Sequence, residues 1–148
     1  MKSEPSVYGI NQLKQERETI WDGIRNYQAR NLMRNMKVGD KAFFYHSNCN
    51  PPGIVGLMEV IRTGLIDPTQ FDQNSNYYDS KSSEINPKWD CVKLKYIGKF
   101  TKKLTLKEIN LNFTIEDIIL VRKGNRLSVI PIINETAEKL FSFLGNAN

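Results

Sequence analysis

Residues 21–31 read Trp21-Asp22-Gly23-Ile24-Arg25-Asn26-Tyr27-Gln28-Ala29-Arg30-Asn31, and the fold is decided by how this stretch continues. From Ile24 it passes into the strongest helical signal in the chain, residues 24–36 (IRNYQARNLMRNM). Ala29, Leu32, Met33 and Met36 recur at spacings of three and four, which lines one apolar face. Asn26, Arg30 and Arg34 stand four apart and form a ridge on another side of the same helix. Val38-Gly39-Asp40 then ends it with a turn.

Strands follow. Lys41–Ser47 (KAFFYHS) is aromatic on both faces, as a doubly buried strand would be. Residues 54–66 are long, with two glycines that mark a bend or bulge. Residues 91–100 alternate, with Val92, Leu94 and Tyr96 on one side and Lys93 and Lys95 on the other. Residues 127–133 (LSVIPII) read as the last strand, with Pro131 placing it at an edge. Upstream, residues 10–19 read as a short polar helix opened by the turn at Tyr8 and Gly9. Thr105 and Glu108 have the spacing of a capping box, and Thr114 caps a second turn. Ala137, Leu140, Phe141 and Leu144 give a closing helix after Asn134. Residues 72–87 are polar and turn-rich, a long loop of the kind that is often functional. Short strands with helices outside, without regular βαβ alternation, point to an α+β or barrel fold in a single domain, residues 1–148.

Composition narrows the function. The chain has 148 residues, with 21 Lys and Arg against 16 Asp and Glu, a net charge of +5 and a pI near 9.2. That modest excess favours a polyanionic partner. No apolar stretch approaches the ~18 residues of a membrane span. No secretory leader is visible, so Cys49 and Cys91 are expected as free thiols in the cytoplasm. The abundance of Asn, Ile and Lys suggests an AT-rich genome, as many bacteria have. Phosphate-binding loops of the GxxxxGK[ST] and GxGxxG types are absent. One histidine and two scattered cysteines cannot build an ordinary zinc site, and no cofactor is expected.

The residues also carry a family likeness. Lys2-Ser3-Glu4-Pro5, the run at 21–31, Gly39-Asp40, Phe43-Phe44-Tyr45-His46-Ser47, Gly53-Ile54-Val55-Gly56 and Glu59-Val60 occur in this order. Pro87-Lys88-Trp89 and Arg126-Leu127-Ser128-Val129-Ile130-Pro131 complete the set, so the blocks span nearly the whole chain. In this the sequence resembles EVE-domain proteins. The resemblance implies a PUA-like mixed β-barrel of about five to six strands with flanking helices, related to YTH domains and the thymocyte nuclear protein group. It implies a module that holds a modified base of DNA or RNA in a pocket on the barrel, and not an enzyme. Such proteins usually carry a few apolar residues ahead of KSEP as the first strand. Here only Met1 precedes Lys2, so either the strand is very short or its beginning has been cut away.

A base pocket needs flat walls for stacking, polar groups for the base edge and cations for the phosphates. Trp21, Tyr27 and Tyr45 are candidate walls, while Phe43 and Phe44 belong to the core. Ser3, Glu4, Asn26, His46 and Ser47 are candidates for reading the edge. Lys2, Arg25, Arg30, Arg34 and Arg126 are candidates for phosphates, and Asp79-Ser80-Lys81 resembles a family segment near the site, which adds Lys81. Each has a plainer reading. Asn26 can cap a helix, Arg30 and Arg34 can form a solvated ridge, and Glu4 would be repelled by phosphate unless it meets an exocyclic amine. On this reading Trp21→Ala abolishes discrimination between modified and plain base, while Arg34→Ala weakens both alike. A thiol enzyme built on His46 and Cys49 lacks a surrounding signature. A pocket for a free nucleobase, nucleotide or other small ligand, or an accessory module of a DNA- or RNA-processing system, stays open beside the reader.

Overall fold

The structure is a computed structural model and describes residues 1–148. The chain opens with β1 (Lys2–Ser3), a two-residue strand. Next, α1 (Ile10–Glu16) buries Ile10 and Leu13, then breaks where Arg17 takes a φ of 70°. The helix expected over residues 10–19 therefore stops early, and Glu18–Trp21 become a strand, β2. A left-handed residue cannot continue a right-handed helix, and β-branched Thr19 and Ile20 suit the extended chain that follows. Likewise α2 (Tyr27–Arg34) begins later than residue 24. Asn26 is its N-cap, with the Ala29 N–H donating to Asn26 Oδ1 at 2.9 Å.

Three long elements carry the sheet: β3 (Lys41–His46), β4 (Gly53–Ile66) and β5 (Asp90–Thr105). The capping box at Thr105 opens α3 (Leu106–Asn112), as the sequence indicates, and α4 (Asn134–Leu144) closes the chain. Alternate side chains of a strand face opposite ways. In β3, Ala42 and Phe44 therefore enter one hydrophobic cluster, with α1, α2 and Trp21. Phe43 and Tyr45 enter another, with α3 and α4. Close approach fixes α1 on the sheet: a Cβ at Gly56 would lie 2.5 Å from Ile10 Cδ1 and 2.9 Å from the Gly98 carbonyl.

The strand order is β1-β3-β4-β5-β2, with β1 parallel to β3 and the other pairs antiparallel. The mixed α+β architecture with five strands and flanking helices is as expected, but the ladder does not close into a barrel. β1 and β2 remain its two edges. Residues 127–133, expected as a strand, run irregularly beside β1 instead. Their one backbone bond to it is from the Lys2 N–H to the Ser128 carbonyl, 2.9 Å, and Pro131 has no N–H to extend a ladder. Leu127 and Val129 are nonetheless buried in the first cluster, which is why the segment alternates like a strand.

The 72–87 loop is folded down. Buried Gln70 donates to the carbonyls of Asp67 and Trp89, at 2.6 and 2.8 Å. Its Oε1 accepts from the amides of Lys88 and Trp89. The Trp89 indole N–H donates to Asp79 at 2.8 Å, which holds that carboxyl below the usual range.

Candidate functional site

The unclosed side of the sheet opens as a cleft of about 790 Å³. β1 lines one side with Lys2 and Ser3, and β2 the other with Thr19, Ile20 and Trp21. Asp22–Arg25 and Tyr77 extend the second wall, Ser47 and Asn48 sit at one end, and Asn125, Arg126 and Ser128 complete the rim. Gly23 is needed here: its φ is +74°, and a Cβ would fall 2.8 Å from the Tyr77 ring.

Trp21 is only 6% exposed and packs edge-to-face on Phe44, ring centroids 5.4 Å apart. It is mainly core, so it forms the floor of the cleft and not a free stacking platform. Its indole N–H has no protein acceptor. No buried side-chain nitrogen or oxygen is left without a partner, so that N–H is not sealed in, and its residue lines the cleft. Asp22 stands beside it. Partial desolvation, then the neighbouring Asp67 carboxylate, raise its pKa above the ordinary value. Lys2 and Arg126 are in no ion pair, and burial lowers the Lys2 pKa.

Of the residues singled out from the sequence, Lys2, Ser3, Glu4, Trp21, Arg25, Ser47 and Arg126 line this cleft. Within it, two are already engaged. Ser3 Oγ donates to the Tyr8 carbonyl at 2.8 Å. Arg25 spends its guanidinium on the Asp67 carboxylate, the Ile24 and Tyr77 carbonyls and Thr69 Oγ1, at 2.7–3.0 Å. It is a brace for the wall and not a free cation.

The others lie elsewhere. Asn26 is occupied as a cap. Tyr27 stacks on Trp89 at 4.8 Å, and Arg30 covers Tyr27 at 4.7 Å while donating to the Lys88 carbonyl at 2.8 Å. With Arg25 5.3 Å from the Trp89 ring, these groups pin the loop. Arg34 pairs with Asp90. Lys81 is exposed on the loop, where its amide closes a turn on Asp79. Tyr45 is buried against the second cluster.

His46 points inward, its Nε2 accepting the Ile10 N–H at 3.1 Å. Cys49 Sγ approaches only the His46 and Pro51 carbonyls, so the two make no nucleophile–base pair. Sequence reasoning passed over Asp22, Asn48, Tyr77 and Asn125. Asp22 had a signal, since it sits inside the run at 21–31.

The His46 contact requires a neutral ring. Burial first, then Lys103 and Lys99, lower its pKa below 6.5. The unfolded chain therefore takes up a proton at a higher pH than the folded one, and stability falls as pH drops below 6.5. Denaturant midpoints at about pH 5 and pH 7.5 should differ in the wild type and differ less in His46→Gln, whose carbonyl can still accept from Ile10. An equal pH dependence in both would show that His46 does not carry it.

Residues 1–143 match the family described as the EVE domain. Thymocyte nuclear protein 1 of Danio rerio is 41% identical over 161 residues, covering 96% of this chain and 69% of that protein. A crystal structure of a Pseudomonas syringae protein is similar with a TM-score of 0.93 and 38% identity, over 97% of this chain and 96% of that one. Human THYN1 in complex with DNA containing 5-methylcytosine is similar with a TM-score of 0.90 and 36% identity, over 100% of this chain and 97% of that one.

Proposed function

This chain belongs to the EVE domain family, and we propose that it reads a modified base of nucleic acid, methylated cytosine first, in the cleft between β1 and β2. The observation that carries this reading is the set of groups the fold leaves uncommitted there. A cytosine edge presents an amine that donates and a ring nitrogen and carbonyl that accept. Asp22, Glu4 and Trp21 line the cleft, and no other side chain pairs with either carboxylate or with the indole N–H. Lys2 and Arg126 are free for phosphates, while Val7, Ile20 and Ile24 offer apolar surface to a methyl group. The relative crystallised with DNA containing 5-methylcytosine supports the same reading. In it the chain acts as one binding domain, with no residue assigned to catalysis.

A binding panel tests it, with DNA and RNA oligonucleotides carrying plain, methylated or hydroxymethylated cytosine at low and moderate salt. Wild-type protein should select a modified strand and bind it less tightly as salt rises. Asp22→Asn should weaken the selected strand by about 1.5–3 kcal/mol, roughly tenfold to a hundredfold. Arg126→Ala should weaken modified and plain strands alike. Folded protein that prefers no modified oligonucleotide would remove the reading. Binding of the free base that salt does not touch would turn it into a small-ligand pocket.

A further inference from the structure

A second chamber of about 570 Å³ adjoins the main cleft, bounded by the turn after β3, the start of α3 and residues 120–125. The two share Lys2, Ser47, Asn48 and Asn125, so they lie side by side on the same four residues. Their chemistry differs. Glu4 and Asp22 line the main cleft, whereas no carboxylate lines the second chamber. Its charged residues are Lys2, Arg122 and Lys123, and none of them is in an ion pair. Arg122 and Lys123 are exposed, on a turn completed by Gly124 at φ +76°.

Tyr45 adds a second, independent sign. It is only 6% exposed, yet its hydroxyl has no protein partner, and no buried side-chain oxygen is left unpaired. The hydroxyl is therefore not sealed in, and Tyr45 lines the chamber. Lys2 Nζ lies 5.9 Å from the ring, at the junction of the two spaces. Carboxylates repel a phosphate, while an acid-free hollow with three cations and a hydroxyl attracts one. Leu106, Leu120 and Val121 give it an apolar wall for a sugar or base.

We propose that this chamber takes the phosphate and the nucleotide next to the held base on the same strand, so that the footprint is at least a dinucleotide. The proposal rests on the reading of the main cleft as a base pocket. Lys2 is the hinge of the footprint, reaching the phosphate between the two nucleotides. Arg122 and Lys123 hold the strand beyond it, and Tyr45 donates to an oxygen of the same segment.

The test compares wild type with Arg122→Ala/Lys123→Ala, two exposed positions whose truncation leaves the core intact, and with Tyr45→Phe. Probes are the free modified nucleoside, the two dinucleotides placing a plain neighbour on its 5′ or 3′ side, and single strands of DNA and RNA. Wild type should bind one dinucleotide at least tenfold more tightly than the nucleoside. The double variant should lose that gain, keep its affinity for the nucleoside, and keep the preference for modified over plain strands. Its salt slope on single strands should fall by about 1.4, two contacts at roughly 0.7 each. Tyr45→Phe should lose part of the dinucleotide gain with no change in slope. A double variant with unchanged slope and dinucleotide gain would overturn the proposal. Wild type without preference for any modified base would overturn the base-pocket reading instead, and the slope on plain strands would still decide the chamber.

Discussion

Arg25→Ala is expected to remove about 3–5 kcal/mol of stability, because it strands a buried carboxylate. The Asp67 side chain is 0% exposed and that of Arg25 is 21% exposed, with Nη1 2.8 Å from Oδ2. Asp67 also accepts from the Gly23 and Thr69 amides, each at 2.8 Å, so it cannot turn away to water once the guanidinium is gone. Arg25 further holds the Tyr77 carbonyl at 2.7 Å and covers Trp89, so the same change frees the loop and the cleft wall. For a chain of this size the melting temperature should fall by roughly 2–4 °C per kcal/mol, on the order of 6–20 °C in all. Arg25→Lys should recover little, since a single ammonium cannot match the fork of donors. The phosphate role expected for Arg25 from the sequence predicts the opposite pattern. Melting would then be unchanged and only the salt slope of binding would drop, by about 1 on duplex DNA. Thermal denaturation beside a salt titration separates the two.

The contrast between these outcomes shows what a sequence can reveal about a site. The block from Trp21 to Asn31 is contiguous, and contiguity invites the inference that its members share one task. The structure divides them. Trp21, Asp22 and Arg25 line the cleft, while Asn26 caps α2 and Tyr27 and Arg30 clamp Trp89. Which side each faces depends on Trp89, a partner about sixty residues away in the chain that no local spacing can reveal. The strands β3, β4 and β5 were legible because they are long and their side chains alternate or are apolar throughout. β2 was not. Its four residues follow a polar helix, and only the left-handed turn at Arg17 and the pairing of Trp21 with Val92 make them a strand. Residues 127–133 failed the other way, since alternate burial can arise without a ladder. The open edge was hidden for the same reasons: the residues alone allowed an α+β or barrel fold, the resemblance implied the barrel, and neither revealed that β1 and β2 end the sheet.

Trp21→Ala is expected to cost about 3–5 kcal/mol, as large-to-small changes at a packed aromatic do. The indole is 6% exposed and sits in the larger hydrophobic cluster with Phe44, Met33 and Leu94. Loss of modified-base discrimination in this variant, the result expected from the sequence, would then report a damaged fold as readily as a lost contact. Trp21→Phe isolates the chemistry. A phenyl ring keeps most of the contact with Phe44 at a cost of about 1–2 kcal/mol and removes only the indole N–H. If that N–H donates to the base edge, binding should weaken by about 0.5–1.5 kcal/mol, up to roughly tenfold. Methylation at carbon 5 leaves the accepting nitrogen and carbonyl of cytosine in place, so modified and plain strands should weaken together and their ratio should hold. Unfolding midpoints and binding isotherms on the same preparations check both halves. Wild-type affinity in Trp21→Phe would show that the N–H meets no ligand and that Trp21 serves only as floor. A changed ratio would place the indole against the methyl group itself, and the edge contacts would then fall to Asp22 and Glu4.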